Sequence, residues 1–148
     1  MPFQFPLDSV LRLRLGQERM ERLKLEAIAS ELAQEERQLE FITDRRLDIR
    51  RHFREQMSRE TYGSELHFEE TAEERMEAVR RAMEIRVAQL EQERLKQVEA
   101  YKKSRRRRET LENLREQKLS AYIQTRARRE QQGLDDLFLM RQGLQRDE

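Results

Sequence analysis

Thr61-Tyr62-Gly63-Ser64 is a short run of turn-compatible residues set between two long, charged, periodic arms. Glycine tolerates positive φ and serine caps a new helix, so the run predicts a bend joining two helices. The two prolines, Pro2 and Pro6, both lie at the N-terminus. Of the four glycines, Gly63 is the one that sits inside such a cluster.

Working outward, the first arm carries Leu25, Ile28, Leu32, Glu35, Leu39, Ile42, Arg46, Ile49 and Phe53 at alternating spacings of three and four. That is a heptad seam with two charged interruptions. Backwards it passes Glu21, Glu18 and Arg14 before reaching Leu11 and Leu7, while Leu13, Leu15, Met20 and Leu23 lie on other faces. Pro6 suits a first helical turn, with Asp8 or Ser9 at its positive end. Asp8/Arg12, Glu18/Arg22 and Glu55/Arg59 are acid-to-base pairs four residues apart that support the helix. In the second arm Thr71-Ala-Glu-Glu74 has the form of a capping box, so the helix starts at Ser64 or at Thr71. Its apolar positions include Ala72, Met76, Val79, Met83, Val87, Leu90, Leu95, Val98, Tyr101, Leu111, Leu114, Leu119 and Tyr122.

Two antiparallel arms demand facing residues whose numbers have a constant total. Phe53 with Ala72, Ile49 with Met76, Arg46 with Val79, Ile42 with Met83 and Leu11 with Leu114 all total 125. Leu39 with Val87, Ile28 with Val98, Leu25 with Tyr101 and Leu7 with Leu119 total 126. Half of 125 falls between Tyr62 and Gly63. The expected fold is therefore all-α: a long antiparallel two-helix coiled-coil hairpin across residues 1–148. Helix 1 covers about 7–60, the turn about 61–65 and helix 2 about 66–141, with a short C-terminal tail. The second arm outlasts the first by roughly 20 residues, about 30 Å of helix. That overhang carries Ile123, Ala127, Leu134, Leu137, Phe138, Leu139 and Met140. An apolar stripe with no internal partner is a candidate docking surface, or it packs against Phe3 and Phe5.

Composition agrees with a narrow seam. Of 148 residues, 41% are charged and only 36% hydrophobic, which leaves disorder or an extended helical assembly. The helical spacing and the abundance of Arg, Glu, Gln, Leu and Ala select helices. Cysteine is absent, which removes disulfide and thiol chemistry and fits a reducing compartment. No run of about 18 apolar residues exists, so no membrane insertion is expected. The first residues lack the basic start and apolar core of a secretory signal.

The sequence offers little for catalysis. Its carboxylates read as solvated helix faces, and none is singled out by an apolar setting. His52 and His67 are off register with one another, and no metal or cofactor site is expected. Neither a phosphate-cradling glycine loop nor a nucleophile motif is present. The net charge of +1, from 31 basic and 30 acidic residues, gives no global reason to expect nucleic acid. Locally the balance shifts: residues 102–129 hold 11 basic and 3 acidic residues, centred on Arg105-Arg106-Arg107-Arg108. Four consecutive arginines on a helix form a collar and not a reading face. A solvated surface, an acidic protein partner, and nucleic acid or anionic lipid are the open readings, with few aromatics for base stacking.

The opening Phe3-Gln-Phe5-Pro-Leu7-Asp-Ser-Val10-Leu11-Arg-Leu13-Arg14 resembles the start of the flagellar export protein FliJ family. The close, Arg128-Arg129-Glu130-Gln131-Gln132-Gly133-Leu134-Asp135-Asp136-Leu137, is similar to that family's end, although Gly133 replaces an expected helix former. The resemblance implies a hairpin like the central stalk of rotary ATPases, acting without an active site of its own. It implies a non-enzymatic component of the bacterial flagellar type III export apparatus, cytoplasmic and peripheral at the inner face of the cell membrane at the flagellar base. Its implied partners are the hexameric export ATPase FliI, the export gate protein FlhA and export chaperones. The family's terminal end enters the ring, which here makes Phe5, Leu7, Leu11, Leu134, Leu137 and Phe138 the expected contacts, helped by Arg126, Arg128 and Arg129. The same residues also suit a zipper between the two termini. The alternatives are the stalk of a virulence type III secretion system and a basic coiled coil associated with nucleic acid.

Overall fold

Helix-favouring residues at heptad spacing form two long helices that pack against each other, and the fold is the expected all-α antiparallel hairpin. The computed structural model describes residues 2–58 and 63–146. Helix α1 spans Asp8–Met57 and α2 spans Gly63–Arg146. At the start of α1, Pro6 and Leu7 form a turn, and the Asp8 amide donates to the Phe5 carbonyl at 3.1 Å. The Asp8 carboxylate then faces the helix's positive end and pairs with Arg12 at 2.8 Å.

The bend differs in detail from the sequence expectation. Thr61 and Tyr62 lie outside the described residues. Gly63 is the first residue of α2, its φ is not positive, and a Cβ added there would meet nothing within 4 Å. Ser64 therefore lies inside the helix and does not precede it. Thr71 is mid-helix: its hydroxyl donates to the His67 carbonyl at 2.8 Å, the back-bonding of an interior threonine and not a cap. At the other end α2 runs through Gly133 to Arg146, beyond the expected limit near 141. A single glycine costs a helix about 1 kcal/mol, which flanking helix formers offset.

The hairpin comprises two compact units, Met20–Lys102 and Met1–Arg19 with Lys103–Glu148. In the Met20–Lys102 unit every expected seam residue of α1, from Leu25 to Phe53, is buried or half-buried. Leu32 is buried, and Leu90 on α2 is fully enclosed at 0% exposure. Partner numbers fall on α2 as they rise on α1: Glu21 meets Gln97, Glu31 meets Arg86, Arg46 meets Glu77 and Arg50 meets Glu73. That ordering is what antiparallel packing requires.

The pairing of Arg46 with Val79 is corrected. Val79 is exposed, and the neighbouring Arg80 lies half-buried instead. Around the Arg46 interruption the seam becomes ionic. Arg46 pairs with Glu77 and lies 3.8 Å from Glu73, which also accepts from Arg50 at 2.5 Å. Arg80 donates to both Glu77 oxygens, at 2.7 and 3.0 Å. A charged side chain with a long apolar stem covers a seam position while its head reaches a carboxylate at the rim.

Candidate docking surface

In the unit formed by Met1–Arg19 and Lys103–Glu148, the chain's opening is drawn inward. Phe5 and Leu11 are each only 7% exposed, and Leu7 is half-buried. The Phe3 ring meets Tyr122, with centroids 5.6 Å apart and planes tilted by 47°. Leu111, Leu114, Leu119 and Tyr122 supply the half-buried face of α2. Beyond Tyr122 the pattern stops: every residue from 123 to 146 is exposed, and all of them remain helical.

Three of the nine expected docking residues, Phe5, Leu7 and Leu11, thus pack within the unit. The two buried ones have almost no free surface to offer a partner. The other six, Arg126, Arg128, Arg129, Leu134, Leu137 and Phe138, stand in the exposed segment. Ile123, Leu134, Leu137 and Phe138 are between 57% and 63% exposed. At 100° per residue, Ile123, Ala127, Leu134, Leu137 and Phe138 fall within an arc of about 100°, so they form one row on the helix. Leu144, at 72% exposure, lies near the edge of that row and was not singled out in the sequence. The extension of α2 past 141 is what places it on a helix. Arg126 pairs along the helix with Glu130 at 2.9 Å, which raises the affinity of its guanidinium for a proton.

The basic collar at residues 105–108 is not uniform. Arg108 turns into the seam, where its side chain is 17% exposed, pairs with Glu18 of α1 and reaches Glu112 at 2.5 Å. The hydrogen bond from Arg108 to Glu18 is the chief cause raising its pKa. Glu18 is thereby taken by Arg108 and not by Arg22, which lies 3.8 Å from Glu26. Arg105 pairs with Glu109 at 2.8 Å, and Arg106 and Arg107 are exposed.

A concavity lies in the Met20–Lys102 unit, lined by Arg45, Asp48, Ile49, His52, Phe68 and Ala72. His52 and His67 are both exposed, and no cluster of three metal-ligating side chains exists among the described residues. No helix among the described residues is long and apolar enough to cross a membrane.

Comparison with protein families matches residues 3–147 to the family described as flagellar FliJ protein, essentially the whole chain. No curated protein and no solved structure matches it.

Proposed function

The chain belongs to the FliJ family, whose members are non-catalytic components of the flagellar export apparatus, and on that footing we propose that it docks its α2 overhang in the export ATPase ring. In this reading the hexameric ATPase FliI receives the apolar row of Ile123, Leu134, Leu137 and Phe138. The buried Phe5 and Leu11 act one step back, closing the paired end from which the overhang projects. The hairpin couples the ring to the export gate protein FlhA and to the export chaperones at the inner face of the cell membrane.

One observation carries the reading. Residues 123–146 stay helical while exposing their apolar row, which has no partner among the described residues. A lone helix draws most of its stability from burying an apolar face, and a partner groove supplies that burial. Each exposed large side chain gains up to about 1.5–3 kcal/mol on full burial, so the row contributes several kcal/mol towards docking, against an association cost of about 4–15 kcal/mol that further contacts must help to offset.

The test is ATPase activity. The purified chain alone hydrolyses no ATP and stimulates its cognate hexameric ATPase. Truncation after Tyr122 abolishes the stimulation while the paired region keeps its helicity. Leu134→Glu with Phe138→Glu does the same in the full-length chain. Undiminished stimulation by both variants overturns the reading.

A further inference from the structure

The apolar row of the α2 overhang contains two charges, Glu130 and Arg141, which fall inside its arc. With them it reads as a heptad seam: Ala127, Glu130, Leu134, Leu137, Arg141 and Leu144 follow one another at alternating spacings of three and four. All six are exposed on α2. Glu130 is held along the helix by Arg126 at 2.9 Å. Arg141 differs, because no acidic residue stands three or four positions from it. A cation in the middle of an apolar stripe opposes burial unless the covering surface brings an acid to it.

The row supplies that acid itself. Laid antiparallel on a second copy, Leu134 faces Leu137, Ala127 faces Leu144 and Glu130 faces Arg141, each pair totalling 271. Two-fold symmetry repeats every pair, so both charges are matched twice. No other arrangement does this. A parallel pair sets Glu130 against Glu130 and Arg141 against Arg141. Sliding the antiparallel partner by one heptad sets Glu130 against Leu134 and Arg141 against Ile123, or, the other way, Arg141 against Leu137. Beside the row between the two charges stand Gln131, Gly133, Phe138 and Met140, all uncharged, and Met140 of one copy lies over the glycine of the other. Asp135 and Asp136 flank the two-fold axis but lie about 130° around the helix from the row's centre, so their like charges point away from it. Arg146, the last residue of α2, comes level with Thr125 of the other copy. The pairing therefore stays within the exposed segment and stops short of Tyr122, where Phe3 already packs. We infer that the overhang pairs with the overhang of a second copy of this chain, antiparallel and two-fold symmetric, through this row. The stretch from Ala127 to Leu144 is about 27 Å of helix, a small interface, so the dimer is reversible and concentration-dependent. It covers the row that the ATPase ring would receive, so self-pairing competes with docking; that consequence alone rests on the docking reading.

The experiment is sedimentation equilibrium of the full-length chain over a concentration series. The wild-type chain shows a monomer–dimer equilibrium with a dissociation constant on the order of tens of micromolar. Arg141→Glu and Glu130→Arg each set like charges against one another at both symmetry-related contacts and weaken the dimer roughly tenfold or more. The double variant Glu130→Arg with Arg141→Glu restores it to within about threefold, because every pair is again opposite in sign. Mixing the two single variants restores it as well, as a heterodimer in which each arginine faces a glutamate. Both sites are exposed, so helicity by circular dichroism is retained in every variant. A wild-type chain that stays monomeric to about 1 mM overturns the inference and leaves the row to another partner. A dimer indifferent to both single reversals, a double variant that fails to recover, or a dimer that survives truncation after Tyr122 overturns it equally. None of these measurements includes the ATPase. A failed docking therefore leaves the dimer standing, and a failed dimer leaves docking to its own test.

Discussion

Leu90→Ala and Leu95→Ala make the same chemical change five residues apart on one helix, and the structure predicts very different costs. Leu90 has 0% exposure, whereas Leu95 is 51% exposed. Removing the three outer carbons of a buried leucine forfeits about 2.4 kcal/mol at ~0.8 kcal/mol per methylene. A residual cavity adds about 24 cal/mol per Å³. Two helices close over a small void more readily than a three-dimensional core does, so the cavity part is small and the total is roughly 3 kcal/mol. At Leu95 about half the transfer energy is at stake, and alanine's better helix propensity returns a few tenths of it, leaving under about 1 kcal/mol. Urea unfolding followed by circular dichroism at constant slope reads the two values. The corresponding fall in Tm is about 6–12 °C for Leu90→Ala and less than about 4 °C for Leu95→Ala. Equal costs, or a larger cost at Leu95, would mean that the seam of α2 is rotated from the face described, and the register argument would fail with it.

Further outcomes follow from the same placement. The Glu77 carboxyl is held at about 2, against an ordinary 4.5, first by the hydrogen bond from Arg80 and then by Arg81 and the nearby Arg46 charge, with desolvation opposing. A depressed folded pKa contributes stability that is complete above 4.5 and is lost as pH falls towards 2. Glu77→Gln therefore flattens the acid limb of a Tm-against-pH curve between those limits, and an unchanged limb would exclude Glu77 as its source. Gly133→Ala raises helicity and stabilises α2 by up to ~1 kcal/mol, because Gly133 is helical and a Cβ there meets nothing within 4 Å; a loss of helicity would place a bend at that residue. Thr71→Ala leaves stability within about 0.5 kcal/mol, whereas loss of a true N-cap costs ~1 kcal/mol in the same urea titration. Phe5→Ala costs about 3 kcal/mol because its ring is enclosed, while Phe138→Ala leaves stability unchanged and weakens only partner binding; an equal loss of stability from both would mean that the overhang is packed within the chain.

Much of the fold was legible because a two-helix seam is a one-dimensional object. Period, polarity and length suffice to lay it out, and the first arm's seam from Leu25 to Phe53 was readable residue by residue. The helix ends were less legible because the signals used for them are conditional. Thr71-Ala-Glu-Glu74 has capping-box spelling, but a helix already begun at Gly63 gives Thr71 an upstream carbonyl instead of a free amide. Gly133 reads as a breaker by propensity alone, yet one weak residue does not stop a helix that is well formed on both sides. Arg108 carried no signal of its own within a run of four arginines. Its role depends on Glu18, ninety residues away in sequence and adjacent across the hairpin.

The error at Val79 bears on the candidate surface as well. Hydrophobicity places valine in the seam opposite Arg46, and packing places Arg80 there instead, because Glu77 engages Arg46 and Arg80 together. Apolar character thus over-counts the seam wherever an ionic layer replaces it, and the displaced valine becomes exposed for a local reason. Phe5 and Leu11 show the converse: they belong to a terminal motif, which made them candidate contacts, but their burial is already used within the chain. Neither explanation reaches Leu134, Leu137 and Phe138. No ionic layer displaces them, since among the described residues no second helix stands against residues 123–146, where every residue is exposed. Their exposure is therefore a property of the whole segment and not of one register slip, and it is this stripe, running over six turns of helix, on which the proposed docking rests.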